Sequence, residues 1–356
     1  MKRAYLVRHG AYGDHIHMSN VIKALDEDGW HITFEYNLKG AQIHARNPRI
    51  DKHNVIEPYD LKPEEILEWG ERLKWCEKEY DLFVDFSGSL ENALIESEKS
   101  PGYFMPLIDR RRKNTNICYY DQSMKWAGLT AQKYMGWTGE VYFRRDEHEH
   151  VLSQLEPYYD RFIILWAMRG TMWQKAVTHL AKDICNDWIR RHPKTTIITT
   201  GDDFCRKWEW AADNGITIAP DKGLGYGTAH LIHKSGRMPF RQALNIARYA
   251  DLVVTPETGL GIGAGVFGTP KIMLLTAASL KNIVGNDKND FSLQSEAYCS
   301  PCTRAIYNTD NCPINHETNL PICVDFDKKR VLDQMEKVYQ RAFPRKWELL
   351  DKEVYV

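Results

Sequence analysis

The sequence predicts an α/β protein built from two doubly wound, Rossmann-like domains that face each other across a cleft. Two observations carry this. Short apolar runs alternate with amphipathic stretches along the chain, the rhythm of parallel strands joined by helical crossovers. The rhythm also runs twice, with a charged interruption at Arg144–Asp160. At 356 residues the chain is long enough for two ordinary cores. The expected division is 1–155 and 156–356.

In the first series, Ala4–Val7 reads as a strand and Ser19–Asp26 as a helix, with Val21, Ile22 and Leu25 at helical spacing. His31–Tyr36 alternates as a second strand, and Gly40–Arg46 reads as a short helix. Pro63–Glu79 is a polar helix leading into a buried strand at Leu82–Phe86. The second series opens with the continuous apolar strand Phe162–Ala167. A helix from about Lys175 to Arg190 follows, then strands at Thr195–Thr200 and Ile216–Ala219. Phe240–Tyr249 reads as a helix, Leu252–Thr255 as a strand, Ile262–Phe267 as a helix start and Lys271–Leu275 as a strand. Val331–Gln340 is a terminal amphipathic helix. In such sheets ligands sit beyond the carboxyl ends of the strands, here in the cleft.

Composition narrows the function classes. Hydrophobic residues make up 43% and charged residues 27%, the balance of a folded globular protein. A formal net charge of -1 gives no global basic field for nucleic acid, although a local basic groove is compatible with it. Aromatics at 12%, with 11 Trp, suit packing against flat rings and equally suit core filling. After Met1-Lys2-Arg3 only Ala4–Val7 is apolar before charges return, too short for a signal segment or a membrane span. The expectation is a cytoplasmic protein without a membrane span.

Three loops follow predicted strands. The first, Arg8-His9-Gly10-Ala11-Tyr12-Gly13-Asp14, offers glycines for close backbone approach. Its carboxylate, Asp14, is placed to deprotonate an acceptor hydroxyl or, alternatively, to cap a helix. The second runs from Pro256 to Gly265. Its amides and the Thr258 hydroxyl form a phosphate cradle, or its glycines allow tight helix–sheet packing. The third, Met168–Lys175, places Arg169 and Lys175 where they can meet a diphosphate leaving group or stay solvated.

Together these loops resemble glycosyltransferase family 9, the ADP-heptose:lipopolysaccharide heptosyltransferases, which have the GT-B fold. The resemblance rests on Gly13-Asp14, on Lys175, and on Ala250–Gly259 with Gly268-Thr269-Pro270 behind it. It implies Asp14 as general base and Lys175, Thr258, Gly259 and Leu260 as holders of the donor pyrophosphate. Arg169 and Glu257 join them on the donor side. It also implies inverting transfer from a nucleotide-sugar donor to a saccharide acceptor, with no cofactor for catalysis. Glu257 stands where the family carries Asp, and Gly261-Ile262-Gly263 where it carries a His. These departures leave the sugar unspecified.

On the acceptor side, Gly13 and His15 lie beside Asp14. The cationic run Arg110-Arg111-Arg112-Lys113, followed by Tyr119, Tyr120, Trp126 and Tyr134, suits a phosphorylated acceptor or a solvated loop. The readings are therefore transfer to a surface glycan or lipopolysaccharide-type saccharide, transfer to hydroxymethylated bases in DNA, or a non-catalytic scaffold that binds a sugar nucleotide or a metal. The glycine-bearing stretch Asp221–Arg237 reads as a mobile loop. Four of the eight cysteines, Cys299, Cys302, Cys312 and Cys323, crowd one segment. Four such thiols could close a tetrahedral structural site for zinc or iron, or stay reduced and partly buried. The sequence does not specify the oligomeric state.

Overall fold

A computed structural model describes residues 1–87, 102–206, 229–306, 312–341 and 343. Its first sheet holds β1 (Arg3–Arg8), β2 (His31–Tyr36), β3 (Lys52–Val55) and β4 (Leu82–Asp85) in the order β3-β2-β1-β4. All neighbours are parallel, with Arg3 opposite His31 and Ala4 opposite Leu82. Ala4, Tyr5, Leu6 and Val7 are buried, as a central parallel strand covered on both faces requires.

Helix α1 spans Tyr12–Glu27 and starts seven residues before the hydrophobic pattern suggests. The glycine-bearing loop is itself the first turn of this helix. Gly13, Asp14, His15 and His17 carry no apolar periodicity, yet all four are buried. Helix α2 (Leu38–His44) is capped by Asn37, which accepts from the Gly40 amide at 3.1 Å. Helix α3 (Pro63–Glu79) has Pro at its start and Glu64 and Glu65 in its first turn, where the exposed amides favour them.

The second sheet is larger: β5 (Phe162–Ala167), β6 (Thr195–Thr200), β7 (Ala229–His233), β8 (Leu252–Pro256), β9 (Lys271–Leu275) and β10 (Leu293–Gln294). The order is β10-β9-β8-β5-β6-β7, again parallel throughout. The strand order reverses between β5 and β8, the position at which doubly wound sheets bind ligands. The strand expected at Ile216–Ala219 and the glycines at 223, 225 and 227 lie outside the described residues. The last part of the expected mobile loop forms β7 instead.

Two helices appear in the cationic stretch that reads as loop, α4 (Leu107–Asn114) and α5 (Tyr119–Trp126). The charged interruption contains α6 (Arg145–Leu155), a helix that buries His148, Val151 and Leu155. Helix α7 covers Thr178–Arg191, α8 Phe240–Tyr249, α9 Gly259–Val266, α10 Leu280–Val284 and α11 Lys328–Arg341. The last buries Val331, Met335 and Val338, a stripe spaced by four and three residues. Among the described residues no helix is long and apolar enough to cross a membrane.

Each sheet has its own core, but a third apolar cluster joins them. Ile16 and Ile43 from the first half pack with Leu244, Leu260 and Ile262 from the second. Arg241 adds an ion pair to Glu147 of α6, with Nε to Oε1 at 2.5 Å. This seam fixes how the two sets of strand ends meet.

Candidate active site

The site forms where the amino termini of α1 and α9 touch. A Cβ added at Gly259 would lie 2.9 Å from Tyr12 Cβ, closer than real contacts allow, and 3.0 Å from the Gly13 nitrogen, a tight contact. One added at Gly13 would lie 2.6 Å from Ile262 Cδ1. Glycine at both positions lets the two helix starts meet backbone to backbone. The Tyr12 and Phe240 rings stack across the junction, 3.7 Å between centroids and 5° from parallel. Two positive dipole ends therefore point into one place.

On the α1 side, Asp14 occupies the third helical position rather than the cap, which is Ala11. Its Oδ2 accepts from the Ala11 amide at 2.8 Å and pairs with Arg8 Nη2 at 3.0 Å. Oδ1 makes no hydrogen bond among the described residues. One oxygen thus closes the turn while the other is available to take a proton. Arg8 was not singled out from the sequence, although its place at the carboxyl end of β1 was a usable signal. It is buried and also donates to the Phe86 carbonyl.

On the other side, Thr258 precedes α9 in an extended conformation and makes no side-chain capping bond. Its Oγ1 lies 2.6 Å from Thr255 Oγ1, so the amides of Gly259 and Leu260 are left to other partners. Arg169 and Lys175 face each other across a short hairpin closed by the Arg169–Ala176 bridge and by the Gly170 amide bonded to the Lys175 carbonyl at 2.9 Å. Lys175 therefore lies in a turn, Trp173–Lys175, and α7 starts three residues later. Its Nζ is 3.6 Å from Glu257 Oε2. The Arg169 guanidinium lies 4.4 Å above the Phe204 ring and 3.9 Å from Asp202.

Glu257 is placed differently from a donor-binding residue at the turn tip. It is 4% exposed, and Oε1 accepts from the amides of Thr276, Ala277 and Ala278 at 2.5, 2.7 and 3.2 Å. It ties the end of β8 to the end of β9 and positions Lys175.

The acceptor-side expectations require correction. His15 is fully buried, with Nε2 3.0 Å from Asn37 Oδ1, and burial together with the Arg8 charge pulls it down to about 3. It is a neutral core residue. Arg110 and Arg111 do not face an open surface. Arg110 Nε donates to the Cys302 carbonyl at 3.0 Å, and Arg111 donates to the carbonyls of Tyr298, Ser300 and Pro301 at 2.7–3.0 Å. Arg112 is exposed near Asp109. The helix they share clamps the cysteine segment.

That segment backs the site. The Thr303 amide bonds the Ala277 carbonyl, and Gln174 Nε2 donates to the Arg304 carbonyl at 2.5 Å. Cys312 shares a hydrogen bond with Cys323, which pushes the Cys323 thiol up and pulls Cys312 down. Burial pushes Cys302 up to about 12. All four thiols lie near enough to influence one another, yet the expected four-thiolate metal site is not supported. Among the described residues no group of three or more His, Cys, Asp or Glu side chains is placed to hold a metal ion.

No family model matches the sequence, and no curated protein is similar to it. Solved structures are similar along nearly the whole chain. A family 9 glycosyl transferase from Veillonella parvula superposes with a TM-score of 0.68 at 12% identity, covering 96% of this chain and 98% of that one. The ADP-heptose lipopolysaccharide heptosyltransferase II of Escherichia coli gives 0.61 at 13% identity, with 96% and 99% covered. The iron-containing dodecameric glycosyltransferase TibC of enterotoxigenic E. coli gives 0.54 at 10%, with 96% and 77% covered. Two parallel Rossmann-like sheets, joined at the strand ends and matched end to end by these enzymes, give this chain the GT-B fold of the family 9 glycosyltransferases.

Proposed function

We propose that the protein is a glycosyltransferase that moves a sugar from a nucleotide-diphosphate donor to a hydroxyl of a saccharide acceptor, with inversion at the anomeric carbon. The contact of Gly13 with Gly259, which brings the Asp14 carboxylate to the amide nest, carries this reading. In the proposed division, residues 1–155 serve the acceptor and 156–356 the donor. The neighbours named above are glycosyltransferases, and one is an ADP-heptose enzyme.

In the proposed reaction, Asp14 Oδ1 takes the acceptor proton as the acceptor oxygen attacks the anomeric carbon. The bond from that carbon to the phosphate oxygen breaks on the opposite face, and the nucleoside diphosphate leaves. Its developing charge meets Lys175, Arg169 and the amides of Gly259 and Leu260, fixed before the reaction begins. Glu257 acts by holding Lys175. The cationic run no longer favours DNA as acceptor, because Arg110 and Arg111 are engaged by carbonyls of the cysteine segment.

A panel of nucleotide sugars screened by thermal shift tests the proposal. A ligand at one hundred times its Kd stabilises the fold by about 2.7 kcal/mol. Nucleoside diphosphate sugars should raise the melting temperature, and the best of them should support transfer. A panel with no stabilising member would remove the donor site, and binding without transfer or hydrolysis would leave only a scaffold.

A further inference from the structure

The first half holds a cavity between the carboxyl end of β3 and the first turns of α3. It measures about 540 Å³, within the range of small-molecule sites. Two sets of contacts tie its walls to the loop that carries Asp14. Trp69 of α3 lines the cavity, and its Nε1 donates to Glu35 Oε1 at 2.7 Å. The same carboxylate oxygen lies 3.5 Å from His9 Nε2, and the His9 ring stands edge-on to the indole, 5.7 Å between centroids. On another wall Glu57 accepts from the Leu38 amide, and the adjacent Asn37 donates to the Gly10 carbonyl at 3.1 Å. His9 and Gly10 lead directly into the first turn of α1. His9 is 6% exposed, and its Nδ1 has no hydrogen-bond partner, a buried polar atom of the kind a ligand completes.

The chemistry of the cavity is acidic and aromatic. Glu57, Asp60, Glu65 and Glu68 line it against one cation, Arg72, which is already paired with Glu35. Glu65 is engaged by the Lys62 amide, as Glu57 is by that of Leu38. Asp60 and Glu68 have no side-chain partner among the described residues. Ionised carboxylates only accept hydrogen bonds, so their ligand must bring donors. An ionised phosphate brings none and is repelled. A sugar ring brings hydroxyl donors around its edge and an apolar face for the indole to cover.

We propose that this cavity is the acceptor subsite and that it takes an unphosphorylated saccharide. Trp69 packs on a sugar face, Asp60 and Glu68 accept from its hydroxyls, and His9 Nδ1 is left for the part of the acceptor that reaches toward Asp14. The assignment rests on the transferase reading. It sets the acceptor apart from the phosphorylated class to which the run Arg110–Lys113 points.

The test is an array of immobilised oligosaccharides, each present unmodified and phosphorylated, probed with the full chain. Titration of the best-bound glycan follows. Unmodified members should bind, and their phosphorylated forms should not. Glu68→Lys should weaken the best glycan at least tenfold and raise binding of its phosphorylated form. Glu68 is exposed, so the variant should keep the parental melting temperature. Three outcomes would overturn the proposal: no glycan bound, a preference for phosphorylated members, or binding that Glu68→Lys does not change. Nucleoside diphosphate affinity is measured in parallel. Nucleotide binding that survives any of these outcomes leaves the transferase reading standing, and its absence would count against that reading instead.

Discussion

The two halves of the molecule bury polar groups in opposite ways. In the first half, side chains do it. Helix α1 runs through the interior with His15, His17, Ser19 and Asn20 all buried. Beneath β1, Glu35 accepts from Tyr5 at 2.6 Å and Trp69 at 2.7 Å, and pairs with Arg72. Burial pushes that carboxyl up, but the neighbouring His9 and hydrogen bonds from Tyr5, Trp69 and Arg72 outweigh it and hold it down to about 2. In the second half the backbone does most of the work. Glu257 is held by three consecutive amides, and the proposed donor grip is the start of a glycine-rich helix. The difference suggests that the half carrying the base is specified by side chains, and the half carrying the nest by chain path.

One buried side-chain pair of the second half offers the largest expected effect. Lys271 Nζ is fully buried, paired with Asp287, and donates to the Gly261 carbonyl in the first turn of α9 at 3.1 Å. Lys271→Met leaves Asp287 buried without its cation and should cost about 3–5 kcal/mol in urea denaturation. Adding Asp287→Leu should recover much of that loss. If the single variant is as stable as the parent, the second half does not depend on this pair.

Lys175→Ala comes next. Removing a charged donor from a diphosphate site costs about 1.5–3 kcal/mol, or roughly tenfold to a hundredfold in nucleotide affinity. Calorimetry should show that loss with the fold intact, and unchanged affinity would remove Lys175 from the donor site.

A third effect distinguishes the halves by pH. Burial pulls both His15 and His17 down to about 3 from an ordinary 6.5. Between those values the unfolded chain binds protons that the folded chain does not, so stability falls as pH drops through that window. Each histidine contributes about 1.4 kcal/mol per pH unit there. His17→Leu should flatten the acid limb by that slope in denaturation series between pH 6 and 4. An unchanged slope would mean that His17 is already charged in the fold.

This contrast also explains what was legible beforehand. The strands of the second half read directly from apolar runs such as Phe162–Ala167, because a parallel strand buried on both faces leaves no polar alternation to confuse. The start of α1 did not, because Gly13, Asp14, His15 and His17 look like loop and become helix only through partners elsewhere in the chain. Asn37 is one such partner, twenty-two residues from His15. The run Arg110–Arg112 misled for the same reason. Local sequence shows charge, but the Cys302 carbonyl that meets Arg110 is 192 positions away. Lys175 was found through its loop, whereas the structural role of Glu257 needed the end of β9, which no local spacing reveals.

The account rests on Asp14 and the Gly259 amides serving one bound donor and one acceptor. Asp14→Asn, with donor affinity and transfer rate measured on the same preparation, tests this most directly. The prediction is affinity within about twofold of the parent and transfer reduced roughly a hundredfold to ten-thousandfold, the contribution of a positioned base. Transfer at the parental rate in that variant would contradict it.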